Sequence, residues 1–384
     1  MISSFLKKCR AAGVNRMALI VILLLPAAVN ILLGLEFLNG QIRSIPMAVV
    51  DQDNSSLSRM IVRQFEENET FDVKYYLKSG DEVKALLDRG DVKVGMVIPR
   101  DFSKDVAGFR SPGILMLYDG SHMSVASTAK TRATEILMSL KTGTAMKMMS
   151  GKLNMPGTVA EKTAQTIEFS NRVLYNPTKS FMYFLNPGLG VAVVQTGIVL
   201  MGVVSVGRES LTGNLAASLR YVSRKILSYG LLGTLSLMSS VFIQNKLFGI
   251  PFRGNYGSAW LLSLCLAFSV SVFSVMLSVW IPDSMIASTV GAVLFIPDAV
   301  LVGYTWPVLS MPAAYRFAAS LIPFGHYADN LRDLYLKGVP LPALFNDIRW
   351  FCLFALVSLA ALGMGLARRS RPVCGRAAAY EKGA

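Results

Sequence analysis

Six stretches of the chain run for eighteen or more residues with almost no charge: Met17 to Leu35, Phe184 to Val206, Ile226 to Ile243, Ser258 to Val279, Ser284 to Leu301 and Ile348 to Leu366. At about 1.5 Å per residue, each is long enough as a helix to cross a hydrocarbon core of about 30 Å. The pattern predicts an α-helical integral membrane protein with six spans. Between the first two spans the pattern changes. IPMAVVD (45–51) reads as a strand, and DNSSLSRMIVRQFEEN starts at an Asp/Asn/Ser cap and places apolar residues at helical spacing. FDVKYYL follows as a strand, and Ser79 with Glu82 three residues on forms a capping-box signature ahead of VKALLDRG. VKVGMVIP and GILMLYDG supply two more strands, and a long helix begins at Ser121. The predicted order is β-α-β-α-β-β-α, an α/β domain inserted over residues 36–183.

Beyond the fifth span, VGYTWPVLSMPAAYRFAASLIPFGHYADNLRDLYLKG alternates Pro and Gly with apolar runs too short to cross. Broken backbone at membrane depth survives only where protein or a water-filled cavity satisfies it. Residues 302–346 are therefore expected to form a re-entrant helical hairpin before the last span, with Tyr304, Trp306 and Tyr327 in an interfacial aromatic belt.

Composition agrees with the spans: 53% of the 384 residues are hydrophobic and 16% charged, with a mean hydropathy of +0.47. Ordinary globular chains carry about 25% charged residues. The net charge of +14 is distributed as a topology signal rather than as a nucleic-acid surface. Lys7, Lys8, Arg10 and Arg16 precede the first span; Arg208, Arg220, Arg224 and Lys225 lie between the second and third; Arg368, Arg369, Arg371 and Arg376 follow the sixth. By the positive-inside rule both termini are cytoplasmic and the inserted domain is extracytoplasmic. The first apolar run exceeds the length of a signal-peptide core, and Glu36-Phe37-Leu38-Asn39 offers no small-residue cleavage site, so it is expected to stay as an anchor. These boundaries give a cytoplasmic segment 1–16, a first span 17–35, the α/β domain 36–183, a five-span region 184–367 and a cytoplasmic tail 368–384.

Catalytic patterns are missing. No G-x-x-x-x-G-K-[ST] loop, G-x-S-x-G elbow or H-E-x-x-H helix occurs, so no catalytic residue is assigned. Four scattered cysteines (Cys9, Cys265, Cys352, Cys374) and two histidines (His122, His326) supply neither a metal-ligand spacing nor a disulfide in the inserted domain. Asp51 and Asp53 sit at a strand end ahead of a cap, where such residues form turns. Asp298, after Pro297, is the one carboxylate inside a span. A charge at the membrane centre costs about 2.5–3.5 kcal/mol on insertion scales. Two readings of it stand: it lines a substrate path or gate, or it lies near the outer surface, wet, capping backbone that Pro297 frees.

In this order the segments resemble the membrane subunit of an ABC-2-type exporter, in the subgroup with a large extracytoplasmic insert. IPMAVVDQDNSSLSR resembles that family's I-P-x-x-V-V-D-x-D-x-S opening, VGMVIPRDFSKDV its strand-to-helix I-P-x-x-F step, and YFLNPGLG the N-P-x-L stretch that opens the second span. FGIPFRG, LVGYTWPVLSMP and IPFGHYADNLRDLYLKG resemble its segments after the third span, after the fifth and before the sixth. The family's cytoplasmic R-E-x-E-x-G-T segment after the second span is matched at Arg208, Glu209 and Gly213, with Leu211 in place of the second Glu and Asn214 in place of the Thr.

The resemblance implies a permease that moves a hydrophobic or amphipathic substrate (drug, lipid or secondary metabolite) outward across a bacterial inner membrane. It implies pairing with a second copy or paralogue of the permease, and with separate ATPase subunits that bind and hydrolyse ATP with Mg, no cofactor being held by this chain. Residues 207–225, with Arg208, Glu209, Gly213, Arg220 and Arg224, would form the coupling helix that docks on the ATPase. Asn186, Pro187, Asp298, Trp306 and Pro307 would line the substrate path or gate. A periplasmic adaptor with an outer-membrane channel, and membrane lipid, are further implied partners. Two other readings are a membrane-anchored receptor or envelope scaffold, and a proton-coupled carrier, which would call for more membrane carboxylates and a visible repeat.

Overall fold

The computed structural model describes residues 16–152, 156, 173–206 and 214–370. It divides into two compact units, a helical one, Met1–Gly40 with Val173–Ala384, and one made of Gln41–Arg172. The chain enters through α1 (Arg16–Glu36), whose Ile20–Leu24 turn is π-helical.

The second unit is an α/β layer structure. Its elements are β1 (Ile45–Asp51), α2 (Ser56–Glu66), β2 (Phe71–Leu77), α3 (Gly80–Arg89), β3 (Val94–Ile98), α4 (Phe102–Ala107), β4 (Leu115–Tyr118) and the long α5 (Met123–Lys152). The sheet order is β2-β1-β3-β4, with β1 parallel to both neighbours and β4 antiparallel to β3. Met47 and Val49 pack on one face with Phe65 of α2 and Ala129 and Ala133 of α5; Ala48 and Val50 pack on the other with Val83 of α3. β1 is thus covered on both sides, which accounts for a continuous apolar run where an edge strand would alternate. Each of the Met, Val and Phe side chains among these contributes about 1.5–3 kcal/mol by leaving water.

The acidic turn after β1 is structural. Asp51 Oδ1 accepts from the amides of Asp53 and Asn54, both at 3.0 Å, and its Oδ2 accepts from Ser58 Oγ at 2.7 Å. Ser55 caps α2 in a reciprocal box with Ser58. Asp53 accepts from both the amide and the hydroxyl of Ser103 at 3.2 Å, tying the turn after β1 to the start of α4. Partial desolvation raises the Asp53 pKa, but hydrogen bonds from Ser55 and Ser103 outweigh it and hold the carboxyl below its ordinary value. The predicted order omits α4. That helix has six residues and starts from Asp101 at φ 57° without a side-chain cap bond; it is too short to show helical periodicity.

The helical unit continues with α6 (Phe181–Val203), α7 (Leu215–Leu247, π-helical over its last turn), α8 (Tyr256–Trp280), α9 (Ser284–Phe295), the single turn α10 (Asp298–Leu301), α11 (Ala313–Ser320), α12 (Pro323–Leu336) and α13 (Phe345–Ser370). Among the described residues, six helical segments have the length and composition of membrane spans: α1, α6, α7, α8, α9 with α10, and α13 with the turn before it. The fifth is broken at Pro297, whose carbonyl accepts the amides of Val300 and Leu301. α8 is the most enclosed, packed against α6, α7 and α13. Its buried face is built on small residues, Ser263, Ser269, Ser271, Ser274 and Ser278 among them. Small side chains let helices approach closely where the solvent supplies no hydrophobic drive between them. Ser278 Oγ also takes the Val206 amide at 3.0 Å, closing the end of α6.

Candidate functional site

α6 opens with a helix-breaking sequence, Asn186-Pro187-Gly188, one turn inside the helix. Pro187 has no N–H to give to the Tyr183 carbonyl, and its ring disfavours regular geometry there. The loosened ladder is filled from outside. Tyr304 Oη accepts the Gly188 N–H at 2.8 Å and donates to the Phe184 carbonyl at 2.8 Å, standing between two groups that a regular helix would join to each other. A Cβ at Gly188 would lie 2.2 Å from the Tyr304 ring, so this insertion requires glycine. The ring is fully enclosed, edge-on to Phe324 and stacked on Phe184, with the Arg332 guanidinium 4.7 Å from its centroid. Gly303, at φ 88°, makes the turn that delivers Tyr304 from the broken fifth span.

One face of α6 meets a buried polar cluster. Asn30 of α1 donates to its own helix at the Pro26 carbonyl (2.9 Å) and to Ser240 Oγ of α7 (3.0 Å). Gln244 Nε2, on the π-helical turn of α7, donates to Asn30 Oδ1 at 2.9 Å and to the Asn186 carbonyl at 3.0 Å. Tyr335 of α12 reaches Gln244 Oε1 at 2.9 Å. Gly190 leaves room for this, since a Cβ there would lie 2.2 Å from Asn30 Oδ1. Four helices are therefore joined by side chains that are almost entirely buried. Buried amides of this kind cost several kcal/mol unless paired, so the cluster specifies one relative placement of α1, α6, α7 and α12.

Asp298 is fully buried, and its Oδ2 accepts from Gln195 Nε2 on α6. The reading of Asp298 as a wet carboxylate capping freed backbone is overturned: its protein partner is a side chain in the bundle. Its Oδ1, Gln195 Oε1 and both side-chain polar atoms of Asn186 lack a protein partner among the described residues. Asn186 and Gln195 are nine residues apart on α6, about 14 Å along the axis. Of the five residues assigned to a path or gate, Asn186 and Pro187 border the Tyr304 insertion, Asp298 forms its own pair deeper along α6, and Trp306 and Pro307 are exposed in the loop beyond. Tyr304 and Tyr327 do not belong to an interfacial belt as expected. Both are buried, Tyr327 sharing a hydrogen bond with Ser263 at 2.8 Å, because each hydroxyl finds a partner inside the bundle.

Of the expected coupling residues, Arg208, Glu209 and Gly213 lie outside the described residues, while Arg220 and Arg224 are placed. From Leu215 onward this segment is continuous with the third span. Asn214 caps it through the Ala216 amide at 3.0 Å. Ser218, Val222, Lys225 and Tyr229 form the buried stripe; Arg220 and Arg224 lie on the open face. Lys225 rests between the rings of Tyr221 and Tyr229, 5.7 Å from each centroid. A further cluster joins α12 to α13. His326 Nδ1 meets Asp347 Oδ1 at 2.7 Å, its Nε2 faces the Ser320 carbonyl at 2.9 Å, and its ring stacks on Trp350 at 4.1 Å.

Residues 16–363 match the family model described as "ABC-2 family transporter protein". The chain is similar to the "Probable multidrug ABC transporter permease YbhR" of Escherichia coli, 22% identical across 91% of this chain and 93% of the relative. It is also similar to the "Probable multidrug ABC transporter permease YbhS" of the same species (24% identical, 74% of each chain) and to its "Inner membrane transport permease YhhJ" (23% identical, 78% of this chain and 79% of the relative).

Proposed function

The chain belongs to the ABC-2 family of transporter proteins, and from that premise we propose that it forms the export path for a hydrophobic or amphipathic substrate, driven through the basic end of α7. It is a multi-pass membrane protein and a permease subunit of an ABC transporter, a family whose ATPase lies in a separate subunit and whose permeases pair. ATP and Mg are bound by that partner. Both termini and the segment between α6 and α7 face the cytoplasm, and the α/β unit lies outside, where a periplasmic adaptor leading to an outer-membrane channel would meet it. α11 and α12 form the re-entrant hairpin, and Asn186, Pro187, Asp298, Trp306 and Pro307 border the path through which the substrate leaves, in contact with membrane lipid.

The observation that carries this reading is the length of α7. Its 33 residues, Leu215–Leu247, make about 50 Å of helix against a hydrocarbon core of about 30 Å. The excess lies at the end that bears Arg220 and Arg224 on its open face. At its other end the same helix holds Gln244 in the polar cluster with Asn30 and the Asn186 carbonyl. A push on the cytoplasmic end of α7 by a closing ATPase pair travels along that helix to the Pro187 break in α6. The multidrug designation of two relatives supports an apolar cargo without fixed polar selection.

The test is co-purification with the partner ATPase subunit, followed by ATP-dependent dye efflux from inverted vesicles. Arg220→Glu with Arg224→Glu removes association and flux while leaving the melting temperature of the permease unchanged, because both side chains are exposed. Full ATPase association of that double variant, or of Glu209→Lys, would sink the coupling assignment.

A further inference from the structure

The α/β unit contains an apolar cavity of about 510 Å³, within the range of about 300–1,000 Å³ that small-molecule sites occupy. Its walls come from Ile61 of α2, Phe102 of α4, Phe109 in the turn before β4, and Leu140 and Met148 of α5. It is the open flank of the unit's main core, since Ile61 and Phe102 belong to that core and Leu140 packs against it.

Three features distinguish it from an incidental gap. Its lining includes two cations, Arg110 and Lys141, and no carboxylate. Arg110 is bridged to Asp105 at 3.2 Å, whereas Lys141 has no acidic partner among the described residues. Phe109 holds a left-handed backbone, φ 56°, and is 59% exposed. A bulky residue in that region is strained, and here the strain places an aromatic ring at the cavity instead of in the core. Met148 and its neighbour Met149 line the α5 wall, and unbranched thioether side chains adapt to apolar ligands of varied shape.

We propose that this cavity binds an anionic amphiphile, with the apolar tail between α2, α4 and α5 and the acidic headgroup paired with Lys141. The chemistry follows from the lining: apolar walls reject a polar solute, and a cation without a competing carboxylate favours a carboxylate or sulfate over a neutral or cationic headgroup. The site stands on this unit's geometry and is independent of the transport reading; ATP-driven flux measured on the same preparation separates failure of one from failure of the other.

The full-length chain, in nanodiscs of zwitterionic lipid, is photolabelled with a dodecanoate carrying a diazirine on its tail, and the labelled peptides are mapped by mass spectrometry. Labels are expected on residues 57–61 and 137–149, displaced by unlabelled dodecanoate at about tenfold lower concentration than by dodecanol or dodecylammonium. Lys141→Glu abolishes that headgroup preference and Lys141→Arg keeps it. Ile61→Trp, filling the cavity, removes labelling altogether. Labels confined to the membrane spans, equal displacement by the three competitors, or a preference that survives Lys141→Glu each overturn the proposal. So does an unlabelled wild-type cavity, whether another part of the chain or a second copy fills it.

Discussion

Tyr304 and Gly188 are 116 residues apart in the chain, and the tyrosine hydroxyl takes the glycine amide at 2.8 Å. The contact joins the Pro187 break in α6 to the segment that follows the fifth span, because the same hydroxyl bonds the Phe184 carbonyl from the other side. Tyr304→Phe leaves both backbone groups without that partner in a dry site. It is expected to cost about 1–3 kcal/mol, read as a lower melting temperature in detergent. Gly188→Ala brings a methyl group against the ring and destabilises by a similar or larger amount. Wild-type stability in both variants would mean that the helix closes on itself without Tyr304.

Asn30 and Gln244 form one unit with the Asn186 carbonyl. Gln244→Leu strands the Asn30 oxygen and that carbonyl, and Asn30→Leu strands the Gln244 amide; each is expected to cost about 1–3 kcal/mol. The double variant should lose less than the sum, with a coupling of about 0.5–3 kcal/mol. Additive losses in a double-mutant cycle would show that the two amides act separately.

In the α/β unit, Lys93 lies 2.7 Å from Asp119. The Lys93 hydrogen bond, aided by the side chain and amide of Ser121, holds the Asp119 carboxyl well below its ordinary value of 3.8. A depressed carboxylate stabilises the fold above its unfolded pKa and loses that contribution as pH falls through its folded one. Protection of β3 and β4 amides against hydrogen exchange should therefore decline as pH drops below about 4. Lys93→Met weakens protection at neutral pH and flattens the acid dependence. An unchanged acid profile in Lys93→Met would remove Lys93 as its cause.

His326 behaves in the opposite sense. Burial lowers its pKa, but the hydrogen bond to Asp347, the Ser320 carbonyl and the nearby Asp329 outweigh burial and raise it above 6.5. Both ring nitrogens face acceptors, which only the doubly protonated ring satisfies. Its contribution to holding α12 on α13 is complete below pH 6.5 and is lost as pH rises through the raised folded value. The melting temperature should fall across that window in the wild type and stay flat in His326→Gln. A parallel fall in both would assign the pH dependence to another group.

The legible parts of the structure were those in which local pattern and burial agree. IPMAVVD and FDVKYYL form strands with the bounds that the sequence predicts, and Ser55 and Ser79 cap the helices that follow. Arg220 and Arg224, expected on a separate coupling helix over 207–225, lie on a helix continuous with the third span, since polar residues at a span's end carry no signal that separates a short helix from an extension of the span. Tyr304 was misassigned because an aromatic residue near a membrane end has the same sequence signature whether its hydroxyl faces the interface or enters a helix.

The sequence by itself determined that this chain crosses the membrane, how many times, and where an α/β unit interrupts the spans. Those properties follow from apolar length and from the period of buried positions, which each segment carries alone. Tertiary structure decided which polar groups meet: Tyr304 with Gly188, Gln244 with Asn30, Asp298 with Gln195. Each of these pairs joins residues more than a hundred positions apart. A hydrogen bond depends on position to within a fraction of an ångström, which only the packing of whole helices against one another supplies.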